Sequence, residues 1–360
     1  MLGGGFAFNH ALKRLSFFAF LLFALTAYAN DDNGHVKKAE KFNAGELILE
    51  HIADAHDWHI LDWAGHPVSL PLPIIIYDTE RGFSVFSSSR FNHGHASYKG
   101  YRLEHQHIVA INEADEIDEK ATANIWDFSI TKNAASLFFS LILMLWIFIS
   151  IARTYTRNPG KPPKGLQSLL EPIIIFVRDD IVKSSIGKKK YKRYLPFILT
   201  IFFFIWINNL LGLIPFIPGG ANLTGNIAIT MTLAIFTFLI TTFSGNKHYW
   251  RHVFAMPGVP VGVLFILTPI EIMGVFLKPF VLMIRLFANI TAGHIIALSF
   301  FSLIFIFGEM HVGAGFGVSI LSVAFTIFMT MLELLVAFLQ AYVFALLSAM
   351  YFGMATEEHH

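Results

Sequence analysis

The chain has no cysteine in its 360 residues. This excludes disulfides, thiolate metal sites and thiol chemistry, and leaves the redox compartment open. Charge is scarce too: 14% of residues are Asp, Glu, Lys or Arg, against 55% apolar and a mean hydropathy of +0.58. Soluble domains carry about a quarter charged residues, so this is the composition of a membrane protein. No glycine-rich loop of the Walker type cradles a phosphate, and nothing implies a nucleotide site, a cofactor or a nucleic-acid partner. No internal repeat is apparent, which weighs against the inverted-repeat transporter folds.

The few charges are unevenly placed. Residues 30–133 hold 17 acidic and 9 basic groups, whereas residues 153–193 hold 11 basic and 3 acidic ones. The positive-inside rule puts the second stretch in the cytoplasm. The first 29 residues read as a signal peptide: Lys13 and Arg14 precede an apolar run over 15–26, and Ala27-Tyr28-Ala29 offers a small-x-small cleavage site. Both signals give one orientation, with residues 30–133 outside and the C-terminus inside.

Residues 30–133 alternate short apolar runs with turns. Ile74-Ile75-Ile76-Tyr77, Phe83-Ser84-Val85-Phe86 and His107-Ile108-Val109-Ala110-Ile111 predict strands in a small, partly β-structured extracytoplasmic region. Nine histidines lie there. His51, His56 and His59 are spaced to share a helix face, and imidazole is the commonest metal ligand. Without a fixed ligand spacing or a cysteine, a polar surface without metal is the expectation.

The rest predicts an all-α polytopic membrane protein with about five crossings. Residues 134–152 form an uncharged run, about 28 Å of helix and enough for one span. Residues 153–194 follow as a cytoplasmic basic segment, with an interfacial amphipathic helix over 165–186 and the cluster Lys188-Lys189-Lys190-Tyr191-Lys192-Arg193 at the head groups. Residues 195–360 form the transmembrane domain. Spans at 195–217 and 223–243 are joined by an uncharged Pro/Gly/Asn turn. Two apolar runs at 261–307 and 314–355 are about twice a single crossing. Helices this long must tilt or kink, and Pro269 and Pro279 are candidate break points.

Four titratable groups interrupt the first long run: Glu271, Lys278, Arg285 and His294. A guanidinium at membrane depth costs about 2.5–3.5 kcal/mol on insertion scales and cannot escape by losing its proton. Such a group needs an anion to face. At 100° per residue Asn289 and Ala292 share the Arg285 face, while His294 falls opposite. Ala288, Ala292 and Gly293 would let another helix come close. In the second run Glu333 and Gln340 share a face with the small Ala337 and Ala341 between and beside them. A lone Gln340 is more often an interhelical hydrogen bond than a channel residue. An arginine facing a partner, with titratable groups turned elsewhere, suits a device that deionises and reionises a passing carboxylate.

Arg285-Leu286-Phe287-Ala288-Asn289, Ala292-Gly293-His294, Leu339-Gln340-Ala341-Tyr342 and the earlier Asn209-Leu210-Leu211-Gly212-Leu213-Ile214-Pro215 together resemble the subunit a family of F-type ATP synthases. The resemblance covers residues 195 to the C-terminus. It implies a proton-conducting stator in the bacterial inner membrane, with two half-channels, a c-ring and peripheral-stalk b subunits as partners, and no ATP chemistry of its own. It implies that Arg285 faces the ring carboxylate, that Asn289, His294, Glu333 and Gln340 line the proton path, and that Glu271 belongs to the cytoplasmic half-channel. Family members carry a His/Glu pair in either order; here His comes first, as in the mitochondrial form. Gly212 stands where some members have aspartate. Nothing carries over to residues 1–133. The rival readings are a proton-coupled secondary transporter and a membrane-anchored metal sensor.

The cleavage reading is checked by mass spectrometry of the chain in its assembled state. The expected N-terminus is at or near Asn30, and an intact Met1 would reject it.

Overall fold

The computed structural model describes residues 43–45, 48, 52–63, 66–94, 96–104, 106–112, 114–214 and 219–357. The signal-peptide stretch, His51, His95, Pro215 and the terminal Glu358 and His359 lie outside the described residues.

Alternation of apolar and polar residues builds the first part. Strands β1 (Asp57–Trp63) and β2 (His66–Pro71) form an antiparallel hairpin. β3 (Pro73–Asp78) pairs with β4 (Gly82–Ser87) on one side and β7 (Ile125–Asp127) on the other. β5 (Tyr101–Glu104) and β6 (His107–Ala110) make a further hairpin, followed by the short helix α1 (Glu119–Thr122). The three expected strand stretches lie in β3, β4 and β6. Along β3 the period of two sends Ile74, Ile76 and Asp78 inward, where the isoleucines meet Phe91, Tyr101, Ile108 and Ala110. One expectation fails here: His56 and His59 share no helix face, because β1 begins at Asp57 and pairs His59 with Ser69. His56 is buried, and its Nε2 lies 3.0 Å from Asp127 Oδ2.

Helix α2 (Lys132–Arg157) starts five residues after the end of β7, with the Thr131 side chain capping the Ala134 N–H. It extends beyond the apolar run to take in Arg153 and Arg157. Helix α3 (Leu166–Phe176) carries on through a π-helical stretch Val177–Lys183 and a last turn Ser184–Ile186. Its apolar side is split: Leu170, Val177, Ile181 and Val182 are buried, while Leu166 and Leu169 stay exposed, as an interfacial helix requires. Helices α4 (Tyr191–Gly212) and α5 (Ile227–Ser244), the short α6 (Lys247–Phe254), and the long α7 (Val261–Met310) and α8 (Val312–Thr356) complete the chain. Five of these helices are long and apolar enough to cross a membrane: α2, α4, α5, α7 and α8.

Alternating crossings put the α4–α5 and α7–α8 connections on the side of the strands. The basic segment, α6 and the end of α8 lie on the other side. Pro269 and Pro279 do not break α7, which is helical through both. A proline forfeits one intrahelical bond, and neighbouring segments in a membrane domain tolerate that loss. At 1.5 Å per residue the 50 residues of α7 run about 75 Å against a hydrocarbon thickness of about 30 Å, so the helix lies strongly tilted.

The α4–α5 connection is not the simple surface turn that its Pro/Gly/Asn content suggests. Facing the connection, α4 ends at Gly212 rather than 217 and α5 starts at Ile227 rather than 223. Ala221, Asn222, Leu223 and Thr224 are buried between them. Thr224 donates to Asn209 Oδ1, and Asn209 Nδ2 donates to the Ala337 carbonyl at 3.1 Å, which ties α4, this connection and α8 together. From that knot toward the other end of the helices runs a core of Ile198, Phe202, Phe203 and Ile205 of α4, Leu282 and Leu286 of α7, and Phe344, Ala345 and Phe352 of α8.

The far end of α8 is closed by side chains from two loops. Lys190 Nζ donates to the Thr356 carbonyl at 2.8 Å, and Asn246 donates through its backbone N–H to Ala355 O (3.0 Å) and through Nδ2 to Glu357 O (2.6 Å). Gly353 sits so close to the Ser185 carbonyl that a Cβ would collide with backbone there, so the end of the α3 continuation rests directly on α8.

Burial pushes the Asp78 carboxyl up. Hydrogen bonds from the Glu80 and Arg81 N–H groups and the Tyr101 hydroxyl, with the Arg81 charge, outweigh it and leave Asp78 below the usual carboxylate range. The Tyr101 phenol is pushed up to about 12 by burial and by its bond to Asp78. A depressed carboxyl stabilises the fold above its unfolded pKa, and that contribution fades as pH falls through the folded value. Tyr101→Phe should therefore cost about 1.5–3 kcal/mol at neutral pH, read as lost hydrogen-exchange protection of the β3 and β5 amides. The deficit should shrink below the usual carboxylate range, where the native protein loses the same support.

Candidate functional site

The site begins with the approach of α7 to α8. Helix α8 returns antiparallel along α7, with only His311 between them. Phe300 stacks on Phe325 with ring centroids 5.0 Å apart, and Lys278 Nζ lies 5.8 Å from the centre of the Tyr351 ring. Between these two contacts Gly293 faces Glu333. A Cβ on Gly293 would stand 2.7 Å from Glu333 Oε1 and 3.2 Å from Cγ, so the carboxylate lies against bare α7 backbone. Glu333 Oε1 is buried with no hydrogen-bond partner among the described residues. A buried acceptor in that state needs water or a proton.

Two spaces meet at Glu333. One is a cleft of about 20 Å³ lined by Asn209, Asn289, His294 and Glu333, close to the smallest space that admits one water. The other is a vestibule of about 440 Å³ on the side of the strands, with Gly212, Asn222, His294, Thr330 and Glu333 among its walls. His294 and Glu333 line both. Asn222 Oδ1 and Nδ2 are buried in this region without partners among the described residues, which marks it as a place for water. Gly212 is near enough that a Cβ would lie 3.8 Å from His294 Nε2, so an aspartate there would reach the imidazole.

Arg285 occupies a different surface. It is exposed along with Ile284, Ala288, Asn289 and Ala292, a stripe on the outside of α7. Among the described residues the guanidinium has no hydrogen-bond or ion-pair partner. The small residues beside it leave room for an approaching helix. Asn289 belongs to this stripe and also lines the cleft, so it bridges the two surfaces. Gln340 is buried in α8. The structure thus brings His294, Glu333 and Asn289 together around one cleft, which Arg285, Gln340 and Glu271 do not line.

Glu271 belongs to a second polar line, on the side of the basic segment. Glu271, Lys278 and Arg285 are seven residues apart in turn, about 20° of drift per step, and so follow one stripe of α7. The Tyr249 hydroxyl of α6 is held above its usual range, by burial first and by the Glu271 charge second. Lys278 meets Tyr351 beside a space of about 10 Å³ that Thr237, Thr241 and Tyr249 also line. Thr237 shares a hydrogen bond of 3.3 Å with Ser348. Sequence reasoning gave these residues no role. The repeat of seven from Glu271 to Arg285 was a signal for Lys278; the tyrosines and threonines carried none.

Among the described residues no three His, Asp or Glu side chains gather as a metal site.

Residues 135–353, more than half of the chain, match the family described as ATP synthase A chain, and residues 47–128 match a domain of unknown function (DUF8433). The chain is 45% identical over 237 residues to ATP synthase subunit a 2 of Chlorobaculum tepidum, covering 64% of this chain and 64% of that protein. It is 42% identical over 242 residues to ATP synthase subunit a of Chloroherpeton thalassium (65% and 69%) and 42% identical over 241 residues to that of Myxococcus xanthus (65% and 75%). The matched part therefore spans slightly less than two thirds of the first of these relatives.

Replacing Gly293 by alanine should push the Glu333 carboxylate off the helix backbone. If the chain conducts protons, flux through vesicles containing its assembled complex should fall at least tenfold. Gly274→Ala, where nothing stands within 4 Å of the added Cβ, should leave flux unchanged. Equal flux in the two variants would show that the Gly293–Glu333 contact is dispensable.

Proposed function

We propose, for a chain that belongs to the ATP synthase A chain family, that it is the proton-conducting stator subunit of an F-type ATP synthase. Family membership sets aside the secondary-transporter alternative, and the protein is a multi-pass membrane protein. The observation that supports the mechanism is an exposed arginine on α7 lying between two sets of polar residues. His294 and Glu333 stand at the floor of the vestibule on the strand side. Glu271, Lys278 and Tyr249 lie toward the basic segment, and Arg285 stands between the two groups on the outer face of α7.

In this reading a proton enters from the strand side, passes His294 and Glu333, and reaches the carboxylate of a c-ring helix lying against the Ala288/Ala292 stripe. Neutral imidazole accepts and donates a proton near neutral pH, and Glu333 supplies the second station. Asn289 bridges the cleft to the ring-facing surface. Arg285 attracts the ionised ring carboxylate but holds no exchangeable proton itself, so it blocks direct passage between the routes. The neutralised carboxylate travels round with the ring and discharges on the Glu271 side. Gln340, buried in α8, supports the helix pair from within. Peripheral-stalk b subunits hold the chain against the ring's torque, and nucleotide chemistry resides in partner subunits. The assigned orientation has residues 30–133 outside, the 153–194 segment and the C-terminus in the cytoplasm, and residues 195–360 as the translocating domain of a bacterial inner membrane protein.

Arg285→Lys keeps the charge but not the planar fork, and should assemble while losing most coupled transport. Arg285→Ala should abolish ATP-driven acidification of vesicles and raise passive proton leak, because ring sites then pass between the routes without separation. Normal pumping by a fully assembled Ala variant would remove the main support for this reading.

A further inference from the structure

The vestibule wall contains one residue that comes neither from the membrane-spanning helices nor from the connection between α4 and α5. Ile52, at the start of the strand region, lines the same space as His294 and Glu333. The segment that follows it is fastened at both ends. Toward α2, Asp54 Oδ1 accepts from the Asn133 N–H at 3.0 Å and the Ala55 carbonyl accepts from the Lys132 N–H at 2.8 Å. The buried His56 adds its contact with Asp127 at the end of β7. Toward the α4–α5 connection, the Trp58 indole, 6% exposed, donates from Nε1 to the Gly219 carbonyl at 3.2 Å. Residues 52–58 therefore bridge from the first residues of α2 to the connection whose Gly220 and Asn222 line the vestibule.

These bonds hold a half-buried backbone and a buried indole in one geometry, and their partners lie outside the strand core around Ile74 and Phe91. We infer that the strand-rich region works as a fixed mouthpiece for the outer route, with Ile52 on the wall of the water-filled passage that leads to His294 and Glu333. The inference rests on the proposed function, since it assigns the outer end of the same path. Its occupants are water and the protons that water carries. An apolar isoleucine narrows the passage without offering a site that would hold a cation.

The absence of native cysteine makes the test direct. Ile52→Cys, incorporated into the assembled complex in sealed vesicles, is treated with a small positively charged methanethiosulfonate from the side of the strand region. Modification is followed by mass spectrometry, and wild-type complex under the same reagent controls for thiols in other subunits. We expect normal flux before treatment and at least a fivefold loss after it. Val85→Cys on the exposed side of β4 should be modified without effect. Ile52→Trp, which needs no reagent, should lower flux at least threefold. The inference is overturned if Ile52→Cys is modified and flux persists, if the thiol does not react, or if modified Val85→Cys loses flux equally. Glu333→Gln in the same vesicles separates the two readings: normal flux in that variant would count against the proposed function itself, whatever happens at Ile52.

Discussion

A carboxylate between two apolar helices is tolerable only if something polar comes within reach, and α7 and α8 provide this at one narrow level. Gly293 removes the side chain that would otherwise fill the gap, so Glu333 lies on the backbone of the opposite helix with His294 one residue further along. The buried knot of Asn209, Thr224 and the Ala337 carbonyl holds α8 at that distance from the other side. If the helices moved apart, the carboxylate would face lipid. If they moved closer, the cleft of about 20 Å³ would be too small to admit a water. Both the vestibule and the arginine stripe are arranged around this spacing.

The two sides of the membrane domain are built differently. On the strand side a vestibule of about 440 Å³ reaches down to titratable groups, and a separate folded region supplies part of its wall. On the other side the space beside Lys278 and Tyr351 is only about 10 Å³, and the polar residues are spread along the helices: Glu271, Lys278, Tyr351, Thr237 and Ser348. A wide, hydrated route tolerates few ionisable residues because water carries the proton. A narrow one needs side chains at short intervals. The asymmetry follows from where the loops fold. The α4–α5 connection turns inward and opens space beneath the strands, whereas the ends of α5 and α8 close together around Asn246 and Lys190.

How much of this could be read from sequence depended on how rare each signal is in an apolar chain. Arg285, Glu271, Glu333 and His294 stand out because charge is scarce, and the helical period alone puts Arg285 and His294 on opposite faces. The five spans and the strands around Ile74 and Val85 were legible from hydropathy and alternation. The inward fold of residues 213–226 was not, since Pro, Gly and Asn mark a loop whether it faces water or protein. The prolines misled in the same way: Pro269 and Pro279 mark a possible break, but the surrounding helices decide whether it occurs. Trp58 is 161 positions from Gly219, and no local pattern foretells a bond across that distance.

The pairing of the two long helices also has a mechanical side. Arg285 is 24 residues from Val261 and 25 from Met310, the midpoint of a rod about 75 Å long, where a sideways load bends a beam most. A single helix loaded there would bow. Fastened along its length to an antiparallel neighbour, at Lys278 on Tyr351, Gly293 on Glu333 and Phe300 on Phe325, it acts as one layer of a laminate whose partner takes the opposing strain. The clamps on the end of α8 at Thr356 and Glu357 keep the layers from sliding. The length of these helices, which seems excessive for crossing a membrane, gives a charge at mid-span a stiff mounting.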